Sequence, residues 1–130
     1  MKRWWVALLV LTTACNYAGT EPDGDSPSGD WRWVASSGGI AGTYIPASSV
    51  NYTIRYRFSG NQVTVFRNDS ARATSLITVR NDEITYQPAI PGVVFGSGMD
   101  TQTFRVLPGD TLILNDPCCD MYTHTFVRLR

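Results

Sequence analysis

The sequence predicts an all-β fold, an eight-stranded antiparallel up-and-down barrel, and three observations carry that expectation. From Trp31 onward apolar and polar residues alternate with a period of two almost without interruption, as half-buried strands require. Short turn-forming groups separate the alternating stretches, among them Ser59-Gly60-Asn61, Asn68-Asp69-Ser70, Asn81-Asp82 and Pro108-Gly109-Asp110; such clusters are hairpin signals. No stretch has the periodicity of an amphipathic helix, and no segment repeats. Eight strands in a meander leave two bare edges unless the first and last pair, so closure into a barrel is the natural solution.

The chain opens on Met1-Lys2-Arg3, a basic start, followed by the apolar run of residues 4–11 and then Leu11-Thr-Thr-Ala14-Cys15. That run is too short to span a bilayer, which takes about 20 residues, and has the layout of a secretory signal. With a cysteine directly after a small residue, Thr12-Thr13-Ala14-Cys15 resembles the lipobox of bacterial lipoproteins, although Thr12 stands where leucine is usual. The resemblance implies lipidation of Cys15, a membrane anchor and, with Asn16 next, the outer membrane of the cell envelope. An ordinary secretory signal cut near Ala14 would instead leave Cys15 a free thiol. Residues 16–28 are rich in Gly, Ser, Pro and acids. They read as a flexible tether with a reach of roughly 20 Å. The expected organisation is a signal over 1–14, lipidated cysteine and tether over 15–28, and a barrel domain over 29–130.

The strands follow in order. Trp31 and Trp33 alternate with Arg32 and Val34 in the first. Residues 36–42 and 46–49 read as turns. The stretch 50–58 is the clearest strand, with Tyr52, Ile54, Tyr56 and Phe58 on one face and Asn51, Thr53, Arg55 and Arg57 on the other. Strands at 62–67 (Val63, Val65 inward), 72–80 (Ile77, Val79) and 83–87 (Ile84, Tyr86) come next. Residues 88–100 form the longest irregular stretch and present Val93, Val94, Phe95 and Met99 to some contact. Strands at 101–107 (Phe104, Val106), 111–115 (Leu112, Leu114) and 122–130 complete the barrel. In the last, Tyr122, His124, Phe126 and Arg128 share a face.

Charge narrows the function. Lys2 is the only lysine, and beyond the signal the chain has nine arginines against eleven acids. From Trp31 on, seven acids remain. That slight excess of positive charge is far from what nucleic-acid binding requires.

Candidate chemistry is sparse. His124 is the only histidine, with no Gly-X-Ser-X-Gly elbow before it, and reads as a satisfied interior residue between Thr123 and Thr125. The acids sit mostly at turns (Asp69, Asp82, Asp110, Asp116, Asp120), where Asp caps its own backbone. Asp116-Pro-Cys118-Cys119-Asp120 leaves three readings open: a strained vicinal disulfide, two free thiols, or a soft-metal site with His124. No enzyme activity, cofactor or resident metal is expected. Inward aromatic rings either line a pocket or simply fill a small barrel.

Gly29-Asp30-Trp31 is similar to the Gly-X-Trp motif that opens lipocalin barrels, where the tryptophan plugs the closed end and an arginine of the last strand packs over it. Strand parity makes Arg128 that arginine. Trp31-X-Trp33-Val34, Ser37-Gly-Gly-Ile-Ala-Gly42 and Asp116-Pro-Cys-Cys-Asp120-X-Tyr122 also look like small bacterial lipocalin-like lipoproteins. The Thr-Asp-Tyr-like loop of lipocalins is not reproduced at Pro108-Gly-Asp-Thr111, and the barrel is shorter. The resemblance implies a monomeric, non-catalytic protein binding a small apolar ligand in the barrel mouth, through Trp33, Tyr52, Tyr56, Phe95 and Phe126. The alternative is a filled barrel that meets a protein partner through residues 88–100 and Cys118-Cys119.

Overall fold

The computed structural model describes residues 26–93, 98–117 and 121–130. Its strands are β1 (Gly29–Gly38), β2 (Thr43–Pro46), β3 (Ile54–Ser59), β4 (Gln62–Arg67), β5 (Ser70–Arg80), β6 (Glu83–Ile90), β7 (Met99–Leu107), β8 (Thr111–Asn115) and β9 (Tyr122–Arg128). From β3 to β9 each strand pairs antiparallel with the next. The long β1 closes the ring by pairing with β9 from Trp31 to Gly38 and with β3 from Gly29 to Arg32. The result is a closed, eight-stranded, antiparallel barrel, an architecture compatible with a calycin-like fold.

β2 is the ninth strand among the described residues and lies outside the ring. Because β3 reaches only the first half of β1, the edge from Ala35 to Gly38 would stay bare; Thr43–Pro46 pairs with it instead. The sequence pattern reads turns at 36–42 and 46–49 and assigns no element to 43–45; none of the four residues of this strand is buried. An exposed edge is a pairing hazard, and a short covering strand removes it.

Three further boundaries move. The strand expected from residue 50 starts at Ile54, with Tyr52 left half-buried beside the core. β6 runs on to Ile90 and β7 begins at Met99, so the long connection shrinks. Of the apolar residues expected to be presented there, Val93 is buried, as is Ile90, and Met99 packs against the core; Val94 and Phe95 lie outside the described residues. Val79 runs the other way and is 43% exposed. The β4–β5 pairing ends at Gln62 and Leu76, with one further bond from the Ile77 N–H to the Asn61 carbonyl, so residues 78–80 have a neighbour on one side only.

The interior is solid through most of its height. Trp31, Trp33, Tyr56, Phe58, Phe104 and Phe126 interlock with Val63, Ile84, Leu112 and Leu114, all essentially inaccessible. Eight strands leave space that side chains can just fill. Tyr56 tilts against Phe126 with ring centroids 4.8 Å apart.

One end is shut by Trp31. Its indole Nε1 donates to the Pro27 carbonyl at 2.7 Å, and the Arg128 guanidinium lies over its ring at 4.2 Å. Arg128 also donates to the Ser28 carbonyl at 2.9 Å and to Asp110 at 3.2 Å. Gly29 is required beneath this plate: its φ of +124° suits glycine, and a Cβ there would strike Arg128 Nη1. Asp110 takes a second ion pair from Arg130. Hydrogen bonds and charge from Arg130, then Arg128, hold its carboxyl below the ordinary value of 3.8. That contribution to stability is present above the ordinary value and is lost as the pH falls through the lowered one.

Replacing Arg128 with methionine should cost about 1–3 kcal/mol, from the lost cation–π contact and charged hydrogen bonds. Lysine should recover only part, since it lacks the planar fork. Urea unfolding followed by tryptophan emission measures both, and an unchanged midpoint for Arg128→Met contradicts the role given to the plate.

Candidate functional site

Two features of the interior bear on function: a belt of buried polar side chains, and a cleft at the end opposite Trp31.

The belt starts from a bulge. The β1–β9 register slips between Trp33 and Ala35, so Val34 is the extra residue. Past it the inward positions change parity, and Ser36 faces the interior opposite His124. Trp33 Nε1 donates to Ser36 Oγ at 2.9 Å, and Ser36 Oγ lies 2.6 Å from His124 Nδ1. His124 Nε2 meets both oxygens of Asp116 at 2.9 and 3.0 Å. Gln102 Nε2 donates to Asp116 Oδ1 at 2.8 Å, and its carbonyl accepts from the Tyr86 hydroxyl at 2.9 Å. The chain of bonds thus crosses β1, β9, the end of β8, β7 and β6.

An indole N–H only donates, so the Ser36 oxygen accepts from Trp33. In the tautomer with the His124 proton on Nε2, that proton is aimed at the Asp116 carboxylate and the Ser36 hydroxyl donates to Nδ1. Among the described residues no buried side-chain nitrogen or oxygen lacks a partner.

Serine, histidine and aspartate in line invite comparison with a hydrolytic triad, but the geometry differs. There the serine meets Nε2 and the carboxylate Nδ1; here the two nitrogens are exchanged. Ser36 is 1% exposed and its oxygen is already held by Trp33. No substrate carbonyl can reach it. The belt is a structural network.

Asp116 is therefore more than a turn residue. Its buried carboxylate also acts on two phenols: burial first, then its charge, push Tyr56 well above the ordinary value of 10.0. Burial, then Tyr56, then Asp116 raise Tyr86 in the same direction.

The cleft opens where β3 begins and β4 ends. It has a volume of about 370 Å³ and is lined by Ile54, Tyr56, Val65, Arg67, Arg72 and residues 91–93. That is at the small end of the range for ligand sites, about 300–1,000 Å³. Its wall is mainly apolar. Tyr56, 1% exposed, forms the inner part of the wall. Beside the cleft, Tyr52 stacks on Trp33 with centroids 6.2 Å apart.

Of the residues expected to bind a ligand, Tyr56 lines the cleft, Tyr52 flanks it, and Trp33 and Phe126 lie buried in the core. Phe95, Cys118, Cys119 and Cys15 lie outside the described residues. Both ring nitrogens of His124 are taken by Ser36 and Asp116, so a metal site built on it would have to break the belt. The period-two pattern misses Ser36 because a bulge leaves no mark in composition, and it misses Arg67 and Arg72 as cleft residues because both look like solvated strand ends.

No protein-family model, curated protein or solved structure matches the chain. The functional reading therefore rests on the geometry.

Ser36→Ala leaves the Trp33 indole N–H and His124 Nδ1 without a partner and should cost about 1–3 kcal/mol, measured by urea unfolding. A cost near zero contradicts the belt. Neutral Tyr56 and Tyr86 favour the fold, so this stability is intact below the ordinary phenol value of 10.0 and declines as the pH rises above it. In an alkaline titration their phenolate absorbance should appear only with unfolding. Ionisation of every tyrosine in the native state contradicts this.

Proposed function

We propose that this protein is a non-catalytic, lipid-anchored envelope protein that takes a small apolar ligand into the cleft at the open end of its barrel. The observation that carries the reading is the cleft itself. Ile54, Val65 and Val93 present apolar surface around about 370 Å³ of open space, beside a core of tightly clustered buried residues. Burying apolar surface on both partners supplies the affinity, roughly 25 cal/mol per Å² removed from water before the costs of association.

The anchor is part of the same reading, supported by the lipobox-like residues Thr12-Thr13-Ala14-Cys15 and the tether after them. Several acyl chains on one cysteine would give lasting attachment, with the outer membrane as the expected site and a monomer as the expected form.

A second reading is favoured by the packed core. A barrel filled by Trp31, Trp33, Phe104 and Phe126 could serve as a rigid stand for loops that meet a protein partner.

Titration of the full chain with 1-decanol, followed by methyl NMR, separates the two. Saturable shifts at Ile54, Val65 and Val93, with Ile84, Leu112 and Leu114 unmoved, are expected. A Val65→Trp variant that fills the cleft should abolish them. No saturable shift at the cleft would overturn the ligand reading.

A further inference from the structure

Two arginines stand at the cleft, and each is there for an identifiable reason. Arg67 is the last residue of β4, on the inward parity of Val63 and Val65. Its guanidinium lies over the Tyr52 ring at 4.2 Å. Arg72 owes its place to a bulge: Val65 pairs with Ala73 and Phe66 with Ala71, leaving Arg72 as the extra residue of β5. A bulge lets a strand re-aim one side chain, commonly at barrel rims, and here Arg72 joins the cleft wall beside Arg67.

Neither cation is neutralised. Among the described residues the side chains of Arg67 and Arg72 form no ion pair and no hydrogen bond, as is also true of Arg32, Arg80 and Arg105, whereas Arg55, Arg57, Arg128 and Arg130 all have aspartate partners. What sets Arg67 and Arg72 apart is their place on the cleft wall. Asp69, in the turn between β4 and β5, pairs with neither. Stacking on Tyr52 uses the face of the Arg67 guanidinium and leaves its in-plane N–H donors free, the arrangement suited to a bidentate anion.

An apolar cleft with two free guanidiniums on its wall matches one ligand chemistry. Resting on the ligand reading above, we infer that the ligand is a single-chain amphiphile with an anionic head, carboxylate or phosphate, held by Arg67 and Arg72 while its tail lies against Ile54, Val65 and Val93. The volume sets the size. At about 30 Å³ per water-sized group, 370 Å³ admits roughly a dozen non-hydrogen atoms. A medium-length chain fits, and the two long tails of a phospholipid do not.

The test compares decanoate, monodecyl phosphate and 1-decanol by equilibrium dialysis against the full chain in phosphatidylcholine nanodiscs, with empty discs as the blank. At low salt at least one of the two anions should bind about tenfold more tightly than the alcohol, and the advantage should shrink as ionic strength rises. The double variant Arg67→Gln/Arg72→Gln should lose that advantage while keeping its affinity for 1-decanol, which also shows that the cleft is still folded. Arg67→Lys/Arg72→Lys should retain part of it. Equal binding of alcohol and both anions, unchanged in the glutamine variant, would overturn the anionic head and leave the apolar ligand standing. Binding of none of the three would overturn both.

Discussion

The structure depends on one pairing, that of β1 with β9. A meander of strands has two free edges, and this chain removes both by laying its first long strand against its last from Trp31 to Gly38. The same pairing brings Arg128 opposite Trp31 at one end and His124 opposite Ser36 nearer the other. Gly38 makes the approach possible at the far end, since a Cβ there would collide with the Met121 carbonyl. Closure, plug and polar belt are therefore consequences of one register.

That register contains a bulge, and the bulge decides what the interior can do. Without the extra residue at Val34, Ala35 and Ser37 would face inward and the histidine would lose its serine. With it, a buried carboxylate, imidazole, hydroxyl, amide and phenol satisfy each other across five adjacent strands. Such networks are strong when complete and costly when one member is lost, because the remaining groups are left dry and unpaired. Spanning β6 to β1, the belt adds polar side-chain bonds to strands already joined edge to edge and through the apolar core. A second bulge, at Arg72, serves the surface instead: it carries a charge into the mouth of the barrel.

Much of this was legible in the residues. Alternation gives the inward faces of β3, β4 and β8 directly, because Ile54, Tyr56, Phe58, Val63, Val65, Leu112 and Leu114 sit on regular strands. Parity along β9 likewise puts Arg128 on the same side as Phe126. What the pattern cannot carry is any residue whose direction depends on a broken register. Ser36 and Arg72 are such residues, and both belong to the features that matter most. Asp116 escapes for another reason: an aspartate beside a proline has the look of a turn, and only the fold shows that β7 and β9 deliver Gln102 and His124 to it. β2 is invisible because it exists to cover an edge, and that edge appears only once β3 is seen to stop short.

The central claim is a barrel with a packed interior and a single-chain ligand at its mouth. Native mass spectrometry of the chain isolated from its own cells tests it most directly. The account predicts a non-covalent added mass that leaves on denaturation and corresponds to one medium-length amphiphile. A chain that arrives bare, and stays bare when its cell lipid extract is added back, would contradict it.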